Sequence, residues 1–451
     1  MKKKLTALIA LFCALFVITA IAGNQGTKVG TIEKDRFISP DMCGGCHMDI
    51  YRMWKGSMHA TAFRDPLFQS VAKLFLAEVK TDEEKIEAEL CIKCHTPIGY
   101  FTGEIVKTSD DFAKASEVAA KGISCDFCHS ITQVHGGNAN LTITPGHGED
   151  DPGIKHGPFT DAENDFHDSE YSKPHTKSKF CGTCHEVWHV AFKTPLESTY
   201  SEWKAGPYNT GDPQTTVHCQ DCHMRQKPGV PATGSTKRPD NPGKAAAGAK
   251  ERPHIFTHYF VGANAVPELV KSKAHRQMAV ERLKNAARVS LITKGDWQAG
   301  SKASVEVKVE NIGAGHKLPT GLTEVRQCWL RVAVTDASGK VVFQSGRLDE
   351  AGKIADGAVI YNTVLGDKEG KPTINVAQAT QVLKDYRIKP KESVTEKYEL
   401  AIPADAQGPF TVTAELLYRS APQKIVNIAL GDSAPKIPVI EMASASMEVN
   451  K

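Results

Sequence analysis

The sequence predicts two folded domains behind an N-terminal leader: a mainly α-helical and irregular domain over residues 23–288, and an all-β, immunoglobulin-like sandwich over residues 289–451. Three observations predict this division. A short cysteine and histidine motif occurs five times, always before residue 224. Helical and loop-rich segments surround these motifs, and sustained alternation of apolar and polar residues begins only near Val289. We therefore expect the two domains to build their cores in different ways.

Residues 1–22 have the pattern of a secretory signal. Three lysines precede an apolar run that closes on small residues, so cleavage is expected near Ala22. An uncleaved helical anchor is the alternative, because the run is barely long enough to span a bilayer. We expect an exported protein, either periplasmic or on the outer surface. Removal of the leader takes away three lysines and no acid, so the formal charge of +3 becomes neutral and gives no reason to expect nucleic-acid binding.

Ten of the twelve cysteines form five CxxCH frames, at residues 43–47, 91–95, 125–129, 181–185 and 219–223. This frame is the attachment signature of c-type haem. Two thiols three residues apart lie on one side of a turn and can bond the same porphyrin, which holds the next histidine beneath the iron. Tetrathiolate zinc is the alternative, but five pairs do not divide into four-cysteine sites and zinc needs no histidine at a fixed position.

The frames therefore predict five covalently attached haems c. The attachment cysteines are Cys43, Cys46, Cys91, Cys94, Cys125, Cys128, Cys181, Cys184, Cys219 and Cys222, and the proximal iron ligands are His47, His95, His129, His185 and His223. Polar stretches bearing Gly and Pro separate the frames and bury little apolar surface by themselves, so we expect the porphyrins to form much of this domain's core.

Helical spacing of apolar residues is visible in residues 65–79 and again in residues 267–289. Residues 227–250 are rich in Pro, Gly and small residues, which indicates a surface loop.

Strand patterns begin beyond the last frame. Residues 303–311 alternate valines with charged residues, and residues 328–343 contain two apolar runs on either side of a polar turn. Residues 408–419 repeat the alternation. Short strands joined by polar turns are typical of a β-sandwich. Cys328 lies in one of these strands, where we expect it to be buried packing.

Twelve of the 17 histidines are left to act as sixth ligands after the five proximal ones. Ligation by two histidines closes the iron to substrates and lowers its potential relative to a His/Met pair, which suits electron relay. Methionine is the alternative sixth ligand, because four methionines lie close to the frames: Met42, Met48, Met58 and Met224.

Several segments resemble a known family. The runs CGGCHMDIYRMWKGSMHA, CIKCHTPIGYFTG and HIFTHYFVGAN, with the block at residues 156–188, are similar to the multihaem cytochromes c related to the tetrahaem electron acceptor of hydroxylamine oxidoreductase. Residues 310–340 resemble the β-domain that follows the haem region in many members. The resemblance covers most of the mature chain. This sequence carries a fifth frame, so the four-haem pairing of distal ligands does not transfer directly.

The resemblance implies distal haem ligands. His59, in a W-x-x-S-x-H segment, matches one such position and His258 matches another, with His254 one helical turn away as its competitor. His167 and His175 lie in the block before the fourth frame and are further candidates. For each of them, a solvated loop histidine is the alternative.

His316 is a candidate on other grounds. It lies in the Gly-rich stretch 313–321 of the β-domain, where glycines allow close backbone approach. We expect it to reach a haem at the domain interface, and a polar turn residue is the alternative. His189 follows His185 by one helical turn and is left outside the predicted ligand set.

Two function classes follow from these features. The first is an electron carrier that passes electrons between redox partner proteins, such as other cytochromes or a membrane quinol-linked donor. The second is an oxidoreductase that acts on a small nitrogen or sulfur compound at one open haem. The supply of histidines and the lack of a CxxCK motif favour the carrier, and we predict no catalytic residue. A homo-oligomer or filament would be favoured if a neighbouring subunit supplied a distal histidine.

Overall fold

The computed structural model describes residues 26–450. The predicted leader over residues 1–22 lies outside the described residues, and its export function stays a prediction. Within the described part of the chain, no helix is both long enough and apolar enough to cross a membrane.

The first part of the chain is built from short helices joined by loops. In chain order the helices are α1 (Pro40–Cys46), α2 (Met48–Lys55), α3 (Met58–Thr61), α4 (Pro66–Glu78), α5 (Asp82–Glu89), α6 (Cys91–His95), α7 (Pro97–Thr102), α8 (Cys125–His129), α9 (Ser178–Cys181), α10 (Thr199–Lys204), α11 (Cys219–His223), α12 (Lys273–Lys284) and, within the C-terminal part, α13 (Gln423–Leu430).

Capping residues determine where the longer helices begin. Asp65 accepts a hydrogen bond from the backbone of Leu67 and Pro66 follows it, so α4 begins where the apolar spacing predicts. The second predicted helical run, residues 267–289, is helical only in α12. Ser272 caps the backbone N–H of His275, so the helix begins there rather than at Pro267.

Strands occupy most of the chain beyond α12, with several short pairs before it. They are β1 (Ile131–Gly136), β2 (Asn140–Ile143), β3 (Ile154–Gly157), β4 (Asp168–Tyr171), β5 (Val187–Trp188), β6 (Pro195–Glu197), β7 (Gly243–Lys244), β8 (Glu251–Arg252), β9 (Ala287–Gly295), β10 (Lys302–Asn311), β11 (Gln327–Thr335), β12 (Val341–Ser345), β13 (Thr363–Gly366), β14 (Pro372–Thr373), β15 (Gln381–Asp385), β16 (Ser393–Ala401), β17 (Phe410–Arg419) and β18 (Ile440–Val449).

The C-terminal strands form antiparallel sheets with the orders β16-β10-β9, β12-β11-β17-β18 and β14-β13-β15. Val307 of β10 pairs with Leu291 of β9 on one side and with Glu396 of β16 on the other. The β-rich character of this part is confirmed, whereas the immunoglobulin-like topology and the boundary at residue 289 stay predictions. The predicted polar turn joins β11 to β12, as the alternation of apolar residues indicates.

Side chains from β10, β11 and β17 belong to one apolar core. Val305, Val307 and Val309 are fully buried, and the charged residues between them point outward, which is the period-two pattern of a strand with one buried face. Cys328 is buried in this core beside Met442, and burial raises the pKa of its thiol to about 12. The prediction that Cys328 is a packing residue agrees with this position.

A buried ion pair joins the two parts of the molecule. Arg387 of the β-rich part donates to the carboxylate of Glu202 in α10, and the two side chains are only 7% and 4% exposed. The same carboxylate accepts from the backbone N–H of Lys317 at 3.1 Å and from the hydroxyl of Thr320 at 2.7 Å. Glu202 therefore anchors the stretch that contains His316.

Substituting Glu202→Ala should lower the free energy of unfolding of the full chain by about 1–3 kcal/mol. Arg387 keeps its pair with Asp385, but the change removes a buried partner of Arg387 and leaves the backbone N–H of Lys317 and the hydroxyl of Thr320 without their acceptor. Denaturant titration followed by circular dichroism measures this change. The matched control is Asp405→Ala, which breaks the exposed pair with Lys340 and should cause no measurable loss. Equal effects of the two substitutions would contradict the role of Glu202 in the interface.

Candidate functional site

A single large cavity of ≈ 2030 Å³ lies where the helical part meets the β-rich part. A site for one small molecule usually has about 300–1,000 Å³, so this space suits several large groups. All ten frame cysteines and all ten predicted ligand histidines line its wall. The stretch 245–249, part of the predicted surface loop, lines the cavity too.

Each frame lies on a short helix or turn that presents its thiols and its histidine to the cavity. In the first frame, the backbone N–H of His47 donates to the carbonyl of Cys43 at 2.8 Å, which closes one helical turn. The frames at 91–95, 125–129 and 219–223 are helices over their full length. Within the described part of the chain, no cysteine forms a disulfide, so every frame thiol can form a thioether bond. This donor set fits covalently attached haem.

Four of the five frame histidines are oriented by a backbone carbonyl. Nδ1 lies 2.8 Å from the carbonyl of Ala245 for His47, 3.0 Å from Ala62 for His95, 2.6 Å from His156 for His129 and 3.0 Å from Val261 for His223. A carbonyl only accepts, so Nδ1 donates and Nε2 is left for a metal. Such an outer hydrogen bond is the usual means of orienting a ligand histidine.

His185 differs from the other four in its partner. Its Nδ1 lies 2.9 Å from Oε1 of Glu197, a carboxylate at the end of β6. Burial alone lowers the pKa of His185, but the charge and the hydrogen bond of Glu197 outweigh burial and raise this pKa to about 9. The 49% exposure of the His185 side chain is toward the cavity, whose wall it forms.

Four ring pairs join frame histidines to histidines from elsewhere in the chain, and three of them have nearly equal separations. The ring centres of His47 and His167 are 6.3 Å apart, those of His59 and His185 6.3 Å, and those of His129 and His258 6.4 Å. Metal–imidazole bonds are about 2 Å long, so two bonds and two half-rings span about 6 Å. The three separations thus fit one shared metal ion each.

His316 is the fourth candidate partner, and it shares the cavity wall with His223. The pKa of His223 lies well below its ordinary value, first because of burial and then because of Arg282 and His316. Nδ1 of His316 donates to the carbonyl of Lys317 at 2.9 Å, and Nδ1 of His258 likewise donates to the carbonyl of Phe256. These distal candidates are therefore oriented in the same way as the frame histidines.

His175 is brought to the cavity but in a different setting. Its Nδ1 contacts the hydroxyl of Ser172 at 2.8 Å and its Nε2 contacts the carbonyl of Cys128 at 3.0 Å, so both ring nitrogens have protein partners. Its ring centre is 5.5 Å from that of His129, closer than in the three pairs above. His189 is buried with both nitrogens engaged by backbone groups, and Nδ1 of His254 accepts from the backbone of Asn241.

His95 has a neighbour of another kind. In the described part of the chain, its ring pairs with Phe68 at a centroid distance of 3.7 Å, and no histidine ring pairs with it. Of the methionines considered as ligands, Met48 is 49% exposed to solvent, whereas Met42, Met58 and Met224 line the cavity.

Two residues that position ligands carry no signal in the sequence. Phe260 has a left-handed backbone with φ 47°, and its ring packs at 4.7 Å on His59 and at 5.3 Å on His258. A non-glycine residue keeps that conformation only where its surroundings hold it there. The second is Glu197, twelve positions after His185, where no motif spacing points to it.

A glycine fixes the other side of His59. Gly122 has φ +65°, and a Cβ on it would lie 2.4 Å from the carbonyl oxygen of His59. Only glycine allows this close backbone approach, through which Ile123 donates to the same carbonyl at 3.0 Å.

The frames lie near one another at their cysteines. The thiols of Cys43 and Cys125 affect each other's pKa, as do those of Cys94 and Cys184, and those of Cys181 and Cys219. The frame at 181–185 therefore adjoins both the frame at 91–95 and the frame at 219–223. Such an arrangement brings cofactors bound at the frames close together.

Comparisons with known proteins agree with this architecture. Residues 42–130 match the family described as cytochrome c554 and c-prime. The chain is similar in structure to a penta-heme cytochrome c552 from Thermochromatium tepidum, with a TM-score of 0.62 and 23% sequence identity over 93% of this chain and 100% of that chain. The sporulation control protein Spo0M from Bacillus subtilis also matches, at a TM-score of 0.17 and 12% identity over 36% of this chain and 48% of that one, too low to carry an argument.

No curated protein matches the chain. The family match over residues 42–130 and the shared fold nevertheless agree with the five frames and support a multihaem cytochrome of the c type.

Replacing both cysteines of one frame, Cys91→Ala with Cys94→Ala, should reduce the mass of the purified chain by one haem, because no thioether can form at that frame. Intact-mass spectrometry of the denatured protein measures this, since only covalently held haem survives denaturation. Cys328→Ala is the matched control and should retain the full haem mass. An unchanged mass in the double variant would rule out attachment at residues 91–95.

Proposed function

We propose that this chain is an exported pentahaem c-type cytochrome that carries electrons between redox partner proteins, and that four of its haems have two histidine ligands. The observation that carries this proposal is the set of three histidine ring pairs at 6.3–6.4 Å, each containing one frame histidine. Haem bound at each frame would supply a one-electron couple.

The proposed ligand pairs are His47 with His167, His129 with His258, His185 with His59, and His223 with His316. The first three rest on ring separation, and the fourth rests on the shared cavity wall and on the electrostatic effect of His316 on His223. His175 is left outside the proposed set because both of its ring nitrogens already have protein partners.

The protein's own groups perform three tasks in this proposal. The frame thiols hold the cofactor covalently, and the Nδ1 hydrogen bonds keep each imidazole from rotating. Two histidines at one iron exclude other ligands, so the redox centre exchanges electrons without binding a substrate. The frames lie close together, since the thiols of Cys94 and Cys184, and those of Cys181 and Cys219, affect each other's pKa. This closeness supports transfer from one centre to the next.

His316→Ala should convert one haem of the ferric protein from low spin to high spin, because the iron at the frame 219–223 loses its sixth ligand. Low-temperature electron paramagnetic resonance, integrated against total haem, measures the change. His147→Ala, which removes an exposed loop histidine, is the matched control and should leave the spectrum unchanged. An unaltered spectrum in the His316 variant would refute its assignment as a ligand.

The setting of His95 favours a second candidate function, oxidation or reduction of a small nitrogen or sulfur compound at the frame 91–95. Its imidazole is oriented by Ala62 as a ligand should be, yet its ring neighbour is Phe68, which has no donor atom. A haem there would keep one coordination position for an exogenous ligand.

If that position is open, one haem in five of the unmodified ferric protein should be high spin, and its signal should shift when nitrite or hydroxylamine is added. The His316→Ala variant is the positive control, because it should show one further high-spin haem. Low-spin signal from every haem, unchanged by either compound, would leave only the electron carrier.

Export and partners complete the proposal. The lysine-led apolar pattern of residues 1–22 supports export to the periplasm or the outer surface. Candidate partners are other cytochromes and a membrane quinol-linked donor, and self-assembly would be favoured if a second copy capped the haem at His95. Intact-mass spectrometry, which gives the number of covalent haems, also shows whether residues 1–22 have been removed.

A further inference from the structure

The outer hydrogen bonds of the frame histidines separate one frame from the other four. His185 donates to a carboxylate, that of Glu197, whereas the other four frame histidines donate to neutral backbone carbonyls. We propose that Glu197 lowers the reduction potential of the haem held by the frame 181–185 and makes it the hardest of the five to reduce. This inference rests on the proposed pentahaem function, and Glu197 acts as a positioning residue through His185.

The physical cause is the charge of the acceptor. A carboxylate that accepts a hydrogen bond from Nδ1 draws the proton toward itself and makes the ligating nitrogen more electron-rich, which stabilises the oxidised iron more than the reduced iron. A neutral carbonyl does the same to a smaller extent. The negative charge also lies one imidazole away from the metal position in a poorly solvated wall, where charge interactions are stronger than in water.

The fold holds Glu197 in this position from several sides. Glu197 in β6 pairs with Val187 in β5 and follows the buried Leu196. The side chain of Glu197 is 16% exposed. The hydroxyl of Thr199 donates to the same oxygen, Oε1, at 3.3 Å, and that hydroxyl lies 2.9 Å from the hydroxyl of Thr320 in the β-rich part. The carboxylate is therefore built into the wall and does not swing freely in solvent.

The frame 181–185 lies beside two other frames. It lies near the frame 91–95, since the thiols of Cys184 and Cys94 affect each other's pKa, and it adjoins the frame 219–223, where the backbone N–H of Cys219 donates to the hydroxyl of Ser178 at 3.1 Å. A centre of low potential at this junction would hold an electron only briefly. Electrons would then rest on the neighbouring centres and cross the junction one at a time.

The first test is Glu197→Gln, which keeps the size of the side chain and an acceptor oxygen but removes the charge. An equilibrium redox titration of the full-length holoprotein, followed in the visible spectrum, should show the lowest-potential step shifted upward. We expect the equilibrium constant for that step to change about tenfold, which is about 59 mV for one electron. The other four steps should keep their order.

The matched control is Glu87→Gln. Glu87 faces His189, which is outside the proposed ligand set, with Oε2 3.8 Å from Nδ1. This change therefore removes a carboxylate beside a buried histidine that is not a frame histidine. It should leave the lowest-potential step in place. A second variant, Thr199→Val, removes the hydroxyl that donates to Oε1 of Glu197. The lowest-potential step should then shift downward, because the carboxylate oxygen accepts one hydrogen bond fewer and accepts more strongly from His185.

The haem count separates failure of this inference from failure of the proposed function. Fewer than five covalent haems in the unmodified protein would overturn the pentahaem proposal. With five haems present, a lowest step that moves in neither variant, or five steps that all move alike, would overturn the role of Glu197.

Discussion

The cavity shared by the five frames is the constraint on which the rest of the fold depends. Protein interiors are normally packed without large voids, and ≈ 2030 Å³ bordered by ten thiols is a space that the side chains alone do not fill. Haem held there would complete the core. This explains how polar, glycine-bearing segments form a defined domain, because their backbone carbonyls, such as those of Ala245 and His156, orient the imidazoles.

The β-rich part is an integral part of this core. It has an apolar core of its own, around Val307 and Cys328, and yet it closes one side of the cavity with the stretch that carries His316. The buried pair of Arg387 and Glu202 holds that stretch against α10. If His316 binds the haem at the frame 219–223 as proposed, a displacement of the β-rich part would move that ligand.

The surroundings of the frame histidines differ from frame to frame, although the motif is the same in each. All five frames have two cysteines and a histidine at the same spacing, but one proximal histidine has a charged partner and one, His95, has an apolar ring beside it. Outer partners of this kind tune a metal's potential and its open positions. The differences between carrier and enzyme, and between one haem and the next, therefore lie in residues outside the motifs.

The sequence by itself determined the attachment chemistry and the two kinds of architecture, because both depend on local spacing. The five residues of a frame lie on one turn, and the alternation of Val305, Val307 and Val309 already marks a strand with one buried face. Only the tertiary structure decided which histidines face each other. His59 and His175 are both candidate ligands in sequence, but contacts between distant segments place one opposite His185 and engage both nitrogens of the other. Such long-range contacts leave no periodic trace in the chain, so the role of Glu197 could not be predicted either.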